Sequence, residues 1–310
     1  MEYRNMGRTG LKLSEISLGG WLTFGGQLDD ETSFAIIDAA VEHGVNFIDL
    51  ADIYARGNAE RVFGRWLKGK KRRDFVISSK VYWPMSDNVN DRGLSRKHIM
   101  ESIEGSLRRL GTDYLDIYFC HRHDPETPLE EVVRAMTDLV QQGKVLYWGT
   151  SVWEADQIEG AVDIAREWLG YQPFVEQPRY NMLDRHIEDA IMPMCAEKGL
   201  GIVAWSPLAQ GVLTTKYLDG IPEGSRATYS QWIKEDLTEA NLAKVRKLHA
   251  IAGDLGLTMP QLALAWILRR PEISSIITGA SQPEQVEENV KASGVELSED
   301  VLAEIERILV

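Results

Sequence analysis

The sequence contains little cysteine and carries a deficit of positive charge. Cys120 and Cys195 are the only cysteines in 310 residues, too few for a disulfide framework, and no CxxC pair provides a metal or redox site. Acidic side chains outnumber basic ones by 47 to 34, so the formal net charge is −13. This balance argues against nucleic acid or an anionic membrane as a general partner, because both attract cationic surfaces.

The chain also lacks a long apolar run. No segment approaches the roughly 18 apolar residues that a membrane helix needs. The first twenty residues, MEYRNMGRTGLKLSEISLGG, lack the apolar core of a signal peptide. With 44% hydrophobic and 26% charged residues, the composition is that of a globular protein with a sizeable core. We therefore expect a cytoplasmic protein with no membrane partner.

Short apolar runs alternate with longer segments of helical period along the whole chain. One such segment places Val62, Phe63, Trp66 and Leu67 on a single face. The alternation predicts parallel βαβ units that close into a (β/α)8 TIM barrel. The eight predicted strands are Ile16 to Leu18, Val45 to Ile48, Phe75 to Ile77, Leu115 to Phe119, Val145 to Trp148, Phe174 to Val175, Ile202 to Trp205 and Ile273 to Ile277.

An open doubly wound sheet is the alternative architecture. We favour the barrel because no predicted strand is followed by GxGxxG, the motif that dinucleotide-binding open sheets carry at their first βα turn. A barrel can spend the whole length on one core, so residues 1 to 310 are predicted to form a single domain. The segments Tyr3 to Met6 and Leu11 to Leu13 predict an N-terminal β-hairpin, a candidate plug for the bottom of the barrel.

One segment interrupts the regular alternation. From about Val212 to Thr238 the chain is polar, contains glycine and proline, and is longer than a βα connection requires. Because βα loops build the active-site face of a barrel, we predict a lid loop after the seventh strand. Lys216 and Arg226 within it favour an anion-binding lid over a mobile surface loop.

Ionisable side chains follow three successive predicted strands, where barrel enzymes place their chemistry. Asp49 ends the second strand, Tyr54 follows five residues later, Lys80 ends the third strand and His121 ends the fourth. Each alone is explained by capping, packing or solvation. Together they indicate a site for reducing a carbonyl. We expect the Lys80 ammonium to lower the pKa of Tyr54 and make it a proton donor near neutral pH.

Several longer stretches resemble the aldo-keto reductases over essentially the whole chain. They are NFIDLADIYARGNAE, VISSKVYW, RGLSRKHI, VRAMTDLVQQGKVLYWGTS, AWSPLAQGVLTTKY and TGASQPEQVEENV. The most similar branch contains the voltage-gated potassium channel beta subunits and their bacterial enzyme relatives. The resemblance implies a catalytic tetrad of Asp49, Tyr54, Lys80 and His121, with Tyr54 as the proton donor. The channel subunits carry Asn in place of His121, which favours an enzyme.

The same resemblance implies NADP(H) bound across the top of the barrel without a Rossmann motif. Ser151 and Gln177 would hold the nicotinamide amide, and Trp205 would stack on its ring. The family's usual asparagine is replaced by Val152, which weakens the expected amide contact. The residues that the resemblance assigns to the cofactor are Gly20, Trp21, Ser151, Gln177, Trp205, Ser206, Leu208, Gly211, Lys216, Arg226, Gly279, Ser281, Gln285, Glu288 and Asn289.

The segment that begins at Ser281 has two alternative interpretations. Ser281, Pro283 and Glu284 predict a capping box at a helix start, where free N–H groups favour an anion. The resemblance instead places Ser281 and Gln285 on the 2′-phosphate of the cofactor. Many relatives carry Arg in place of Gln285, so the 2′-phosphate lacks a charge-assisted hydrogen bond here. We still expect a preference for NADPH, and the use of NADH stays open.

Three functions are therefore weighed. The first is an NADPH-dependent reductase of aldehydes and ketones, with a small carbonyl substrate and possible homo-oligomers. The second is a cofactor-binding regulatory protein of the channel beta-subunit type with little turnover. The third is a metal-dependent hydrolase built on the pair His121 and His123. It is disfavoured because no further histidine ends a predicted strand, so no metal is expected.

Overall fold

The computed structural model describes residues 1–310. The strands are β1 Tyr3–Asn5, β2 Lys12–Ser14, β3 Ile16–Gly19, β4 Phe47–Asp49, β5 Val76–Val81, β6 Leu115–Cys120, β7 Val145–Thr150, β8 Val175–Glu176, β9 Gly201–Trp205 and β10 Ile273–Thr278. Eight parallel strands form a closed barrel in the order β10, β3, β4, β5, β6, β7, β8, β9, and a separate two-stranded sheet pairs β1 with β2. The predicted (β/α)8 barrel with an N-terminal hairpin is thereby confirmed.

Ten helices accompany the strands, and most of them cover the outside of the barrel. Their buried faces pack on the strands and form with them the larger of two apolar clusters. This cluster includes the predicted face of Val62, Phe63, Trp66 and Leu67. The helices are α1 Asp30–Glu42, α2 Asn58–Leu67, α3 Arg96–Leu110, α4 Leu129–Gln141, α5 Ala155–Glu167, α6 Ile191–Lys198, α7 Glu239–Asp254, α8 Met259–Leu268, α9 Pro283–Val290 and α10 Glu299–Leu309.

The period-2 alternation of the strands separates an apolar floor from a polar mouth inside the barrel. Phe47, Ile117, Phe119, Val175 and Val203 belong to a small buried cluster in the barrel interior. Successive side chains of a strand point to opposite faces, so the residues two positions further along also face inward, nearer the carboxyl ends. The alternation that builds the apolar floor therefore also aims the polar residues at the strand ends into the barrel mouth.

The N-terminal hairpin closes the bottom of the barrel. Met6 and Leu13 are fully buried and join the interior cluster. At the turn, Gly7 has φ +54°, and a Cβ built on it would lie 2.4 Å from the backbone N of Gly201. Only glycine meets both demands, a left-handed backbone and this close approach to β9. The hairpin thus forms the predicted plug.

The loop after β9, the seventh strand of the barrel, crosses the barrel mouth. Residues 206–238 contain three short 3₁₀ turns and no longer helix. The Tyr229 hydroxyl donates to Gln27 Oε1 at 3.2 Å, and the Arg226 guanidinium lies 5.9 Å from the Trp21 ring. Because Gln27 and Trp21 follow the first barrel strand, the loop spans the mouth, as expected for the predicted lid.

Two helices, α7 and α8, lie between β9 and β10. One local expectation was wrong. The capping box at Ser281 does not form, since α9 begins at Pro283 with Gln282 as its N-cap. Proline disfavours helical geometry in the preceding residue, and Gln282 is accordingly extended, with φ −149° and ψ 149°.

No single helix combines the length and hydropathy that a membrane span requires. The pair α7 and α8 meets both criteria jointly by length and composition, with a bend of 90° between them.

The hairpin turn gives a stability test with a matched control. Gly7→Ala should lower the free energy of unfolding by about 2 to 4 kcal/mol, because the methyl group adds left-handed strain and a backbone clash. Gly10→Ala, in the same hairpin connection, places its Cβ in open space and should change the stability little. Chemical denaturation measures both variants, and equal stabilities would contradict the packing described here.

Candidate active site

Lys80 lies at the centre of the barrel mouth and is completely buried. Its ammonium donates to Asp49 Oδ2 at 2.6 Å, to the carbonyl oxygen of Leu50 at 2.6 Å and to the Tyr54 hydroxyl at 3.1 Å. An ammonium has three protons, and here each has an acceptor. Burial alone would lower the pKa of Lys80, but the charge of Asp49 and the hydrogen bonds to Asp49 and Tyr54 raise it above its ordinary value. Lys80 is therefore a cation at neutral pH.

Asp49 is held by two further donors. The Ser78 hydroxyl donates to Asp49 Oδ1 at 2.7 Å, and Gln177 Nε2 donates to the same oxygen at 2.9 Å. With Lys80 on Oδ2, the carboxylate has three hydrogen-bond donors while only 2% of the residue is exposed. These bonds tie together the ends of β4, β5 and β8.

Tyr54 lies on the short 3₁₀ turn Tyr54–Gly57, which follows β4. Its ring is half-buried, and its hydroxyl faces Lys80. Lys80 acts on the pKa of Tyr54 in the expected direction, but the expected net lowering of that pKa was wrong. Burial raises the pKa of Tyr54 above its ordinary value, and the opposing charge of Lys80 offsets this only in part, while Asp49 raises it further. The side chain is a neutral phenol that can donate a proton.

His121 lies beside Tyr54 at the end of β6. The two rings meet edge to face, with centroids 6.0 Å apart. Burial, together with the positive charges of Lys80 and Arg122, holds the pKa of His121 well below its usual range. The imidazole is therefore neutral, and its buried Nδ1 has no hydrogen-bond partner in the protein. The four predicted tetrad residues thus meet at one place.

The residues predicted for the nicotinamide lie on the opposite wall of the mouth. Ser151 and Gln177 are buried neighbours, since the Ser151 hydroxyl donates to the Gln177 carbonyl oxygen at 2.9 Å. Trp205, half-buried at the end of β9, packs on the interior apolar cluster. Val152 is partly exposed and has φ +56°, a left-handed conformation that a β-branched residue rarely adopts.

The turn after Trp205 carries groups suited to an anion. Ser206 and Gln210 have left-handed backbones, with φ +55° and +58°. The Ser206 hydroxyl is buried without a hydrogen-bond partner. A Cβ on Gly211 would lie 2.7 Å from Lys216 Nζ, so the ammonium sits directly over that glycine. Leu208 lies in the same turn, immediately before Ala209–Gly211.

Two cations on the lid have no acidic partner. Neither Lys216 nor Arg226 forms an ion pair within 4.0 Å, although the chain carries 47 acidic residues. Partial loss of water around the ammonium lowers the pKa of Lys216, and the nearby charge of Arg226 lowers it further. Two adjacent positive charges without a counter-ion favour an anionic ligand. This orphaned set of donors fits a cofactor that carries phosphate groups.

The remaining predicted cofactor residues lie around the start of α9 and the first strand. Gly279, Ser281 and Gln285 are exposed, and Gln285 Oε1 accepts the Ser281 N–H at 2.8 Å. Glu288 is half-buried and Asn289 is buried on the same helix. Just after the first barrel strand, a Cβ on Gly20 would lie 2.7 Å from a methyl carbon of Leu50, so a larger residue there would displace that side chain.

Sequence reasoning missed several contributors to the site. Ser78 could have been found from the alternation, because it precedes Lys80 by two residues and faces the same way. No comparable sequence pattern indicates that the Leu50 carbonyl accepts from Lys80 or that Gln177 donates to Asp49. No group of three or more His, Cys, Asp or Glu side chains is arranged to hold a metal ion. His123 packs on Trp153 instead, with ring centroids 5.0 Å apart.

Comparison with known proteins agrees with this geometry. The sequence model of the Aldo/keto reductase family matches residues 15–310. Proteins named probable voltage-gated potassium channel subunit beta, from Oryza sativa subsp. japonica and Arabidopsis thaliana, are each 45% identical over 318 residues, covering 100% of this chain and 97% of the relative. A putative subunit of the same name from Schizosaccharomyces pombe is 45% identical over 319 residues, covering 99% and 93%. The chain therefore belongs to the aldo/keto reductase family.

Proposed function

We propose that the protein is an NADPH-dependent reductase that converts aldehydes and ketones to alcohols. The observation that carries the proposal is the neutral phenol of Tyr54, which receives a hydrogen bond from the buried Lys80 ammonium beside the neutral imidazole of His121. A nicotinamide cofactor of this family supplies a hydride from C4 when bound. The unpaired lid cations and the orphaned Ser206 hydroxyl support binding of the pyrophosphate that such a cofactor carries. We assign the 2′-phosphate, which distinguishes NADPH from NADH, to Ser281 and Gln285.

In the proposed mechanism, Tyr54 is the general acid. When hydride reaches the carbonyl carbon, negative charge develops on the carbonyl oxygen, and the Tyr54 hydroxyl transfers its proton there. The resulting phenolate keeps the hydrogen bond from Lys80, so the ammonium stabilises the charge as it forms. Asp49 holds Lys80 in position, and His121 directs a ring nitrogen at the substrate oxygen.

A second function is favoured by the names of the relatives. Since three proteins at 45% identity are called channel beta subunits, this chain could serve as a cofactor-binding subunit of a membrane channel with little turnover. His121, where channel subunits carry Asn, supports the reductase instead. The two functions separate in one assay, because a regulatory subunit would bind NADPH yet fail to oxidise it with any member of a panel of aldehydes and ketones.

Replacement of the proton donor gives the first test. Tyr54→Phe keeps the ring but removes the acidic hydroxyl, so turnover should fall by about a hundredfold to ten-thousandfold. NADPH binding, measured by fluorescence titration, should persist. Tyr171→Phe removes a hydroxyl near the start of β8, at the other end of the barrel, and serves as the control. Full turnover by Tyr54→Phe would refute the assignment of the proton donor.

The direction of the Tyr54 pKa shift predicts opposite pH profiles for the two reaction directions. Reduction uses the neutral phenol, and burial raises the pKa of Tyr54. Reduction at saturating NADPH should therefore stay constant from about pH 6 to about pH 9. Alcohol oxidation needs the phenolate and should rise steadily over the same range. A loss of reductase activity between neutral pH and about pH 9 would contradict a raised pKa.

Gln285 provides a test of cofactor choice. Gln285→Arg adds a cation at the start of α9, where the 2′-phosphate is proposed to bind. The affinity for NADPH relative to NADH should rise about tenfold, because hydrogen bonds from charged donors are stronger. Gln141→Arg adds the same charge at the end of α4, far from the barrel mouth, and should leave the ratio unchanged. An unchanged ratio in Gln285→Arg would place the phosphate elsewhere.

A further inference from the structure

Glu176 carries a carboxylate in an apolar layer of the protein. It lies on β8 between Val175 and Gln177, which face the barrel interior, so its side chain points outward toward the covering helices. Its exposure is 0%. A charged group in such a layer is costly unless its hydrogen bonds are satisfied. Glu176 takes no part in the proposed proton transfer, so its burial serves another purpose.

The carboxylate holds the residues on both sides of Ser151. Glu176 Oε1 accepts the N–H of Val152 at 2.7 Å and that of Trp153 at 3.4 Å, and Oε2 accepts the hydroxyl of Thr150. Ser151 in turn donates to the carbonyl oxygen of Gln177, the residue after Glu176. One buried side chain therefore fixes the turn that carries Ser151, and the Ser151 hydroxyl joins that turn to Gln177.

This turn needs such support because it is strained. Val152 has φ +56°, and a β-branched side chain in the left-handed region crowds its own backbone. Strained residues persist only where the surroundings determine the backbone. Glu176 accepts a hydrogen bond from the N–H of Val152. The carboxylate thus opposes the local tendency of the chain to relax toward an extended conformation.

We infer that Glu176 is a positioning residue, whose carboxylate holds the left-handed turn at Val152 and so keeps Ser151 and Gln177 ready for the nicotinamide. The inference rests on the proposed binding of NADPH. It adds that the turn is held by an ionised group behind the site rather than by contacts within the site. Cofactor affinity then depends on the protonation of Glu176.

The surroundings of Glu176 place that dependence near neutral pH. Burial raises the pKa of Glu176 to about 7, against the hydrogen bonds from Thr150, Trp153 and Val152 and the charge of Arg122. The other titratable groups that face it are the buried thiols of Cys120 and Cys195. Above neutral pH the carboxylate accepts charge-assisted bonds, and below it the protonated group accepts weaker ones.

The test compares NADPH dissociation constants at about pH 6 and about pH 8, on either side of that pKa. Relative to wild type, Glu176→Gln should bind NADPH about three- to tenfold more weakly at the higher pH and about equally at the lower pH. The phosphate groups of NADPH titrate equally in both proteins, so they cancel in the comparison. Glu60→Gln alters another buried carboxylate, bonded to Ser79 and Arg109, and should lower stability without changing this pH dependence.

A rescue variant separates positioning from general destabilisation. Val152→Gly relieves the left-handed strain, so the double variant Glu176→Gln with Val152→Gly should regain most of the lost affinity. Val152→Ala keeps a Cβ and most of the strain, and its double variant should not. Should Glu176→Gln fail to fold, the single Val152→Gly variant should lose the pH dependence that Val152→Ala retains.

The outcomes are distinct. Equal affinity of wild type and Glu176→Gln at both pH values would overturn the inference. So would weak binding by Glu176→Gln that is independent of pH and is not rescued by glycine, because that pattern indicates a structural role alone. If the wild type binds neither NADPH nor NADH, the proposed function itself is wrong, and this result is recognised before any variant is compared.

Discussion

The solvation of one buried ammonium governs the geometry of the barrel mouth. Lys80 has no contact with water, so its three protons require three protein acceptors, and it finds them in Asp49, Leu50 and Tyr54. An unpaired charge at this depth costs several kcal/mol. The ends of β4 and β5 and the turn that carries Tyr54 are therefore held at fixed distances. The hydroxyl is positioned by the need to solvate a cation, before any ligand arrives.

Much of the fold and of the site was predictable from local sequence pattern, because two periodicities carry it. Alternation along strands and apolar faces along helices gave the eight strands, the hairpin and the place where Asp49, Lys80 and His121 converge. The pKa of Tyr54 was predicted in the wrong direction. Sequence reveals the charged neighbour, but it does not reveal how much water the surrounding chain removes, and here burial outweighs Lys80. No sequence motif or periodicity singles out Glu176.

The negative charge of the chain gives weight to the two neighbouring cations of the lid. With a formal charge of −13, a lysine or arginine has many carboxylates available, and several do pair across the surface. Lys216 over Gly211 and Arg226 beside Trp21 instead have no acidic partner. The charge of Arg226 lowers the pKa of Lys216, so the two cations repel each other. An anionic ligand on the lid would relieve this repulsion.

The hairpin plug has an electrical consequence as well as a mechanical one. With Met6 and Leu13 sealing the lower end, the interior cluster forms a dry, weakly polarisable wall beneath Lys80 and Asp49. Water cannot reach the ion pair from below to screen it, so its electric field extends mainly through the open end of the barrel. The plug therefore concentrates the field of the buried charges at the open mouth of the barrel. A fold element far from Tyr54 thereby shapes the electrostatic potential at its hydroxyl.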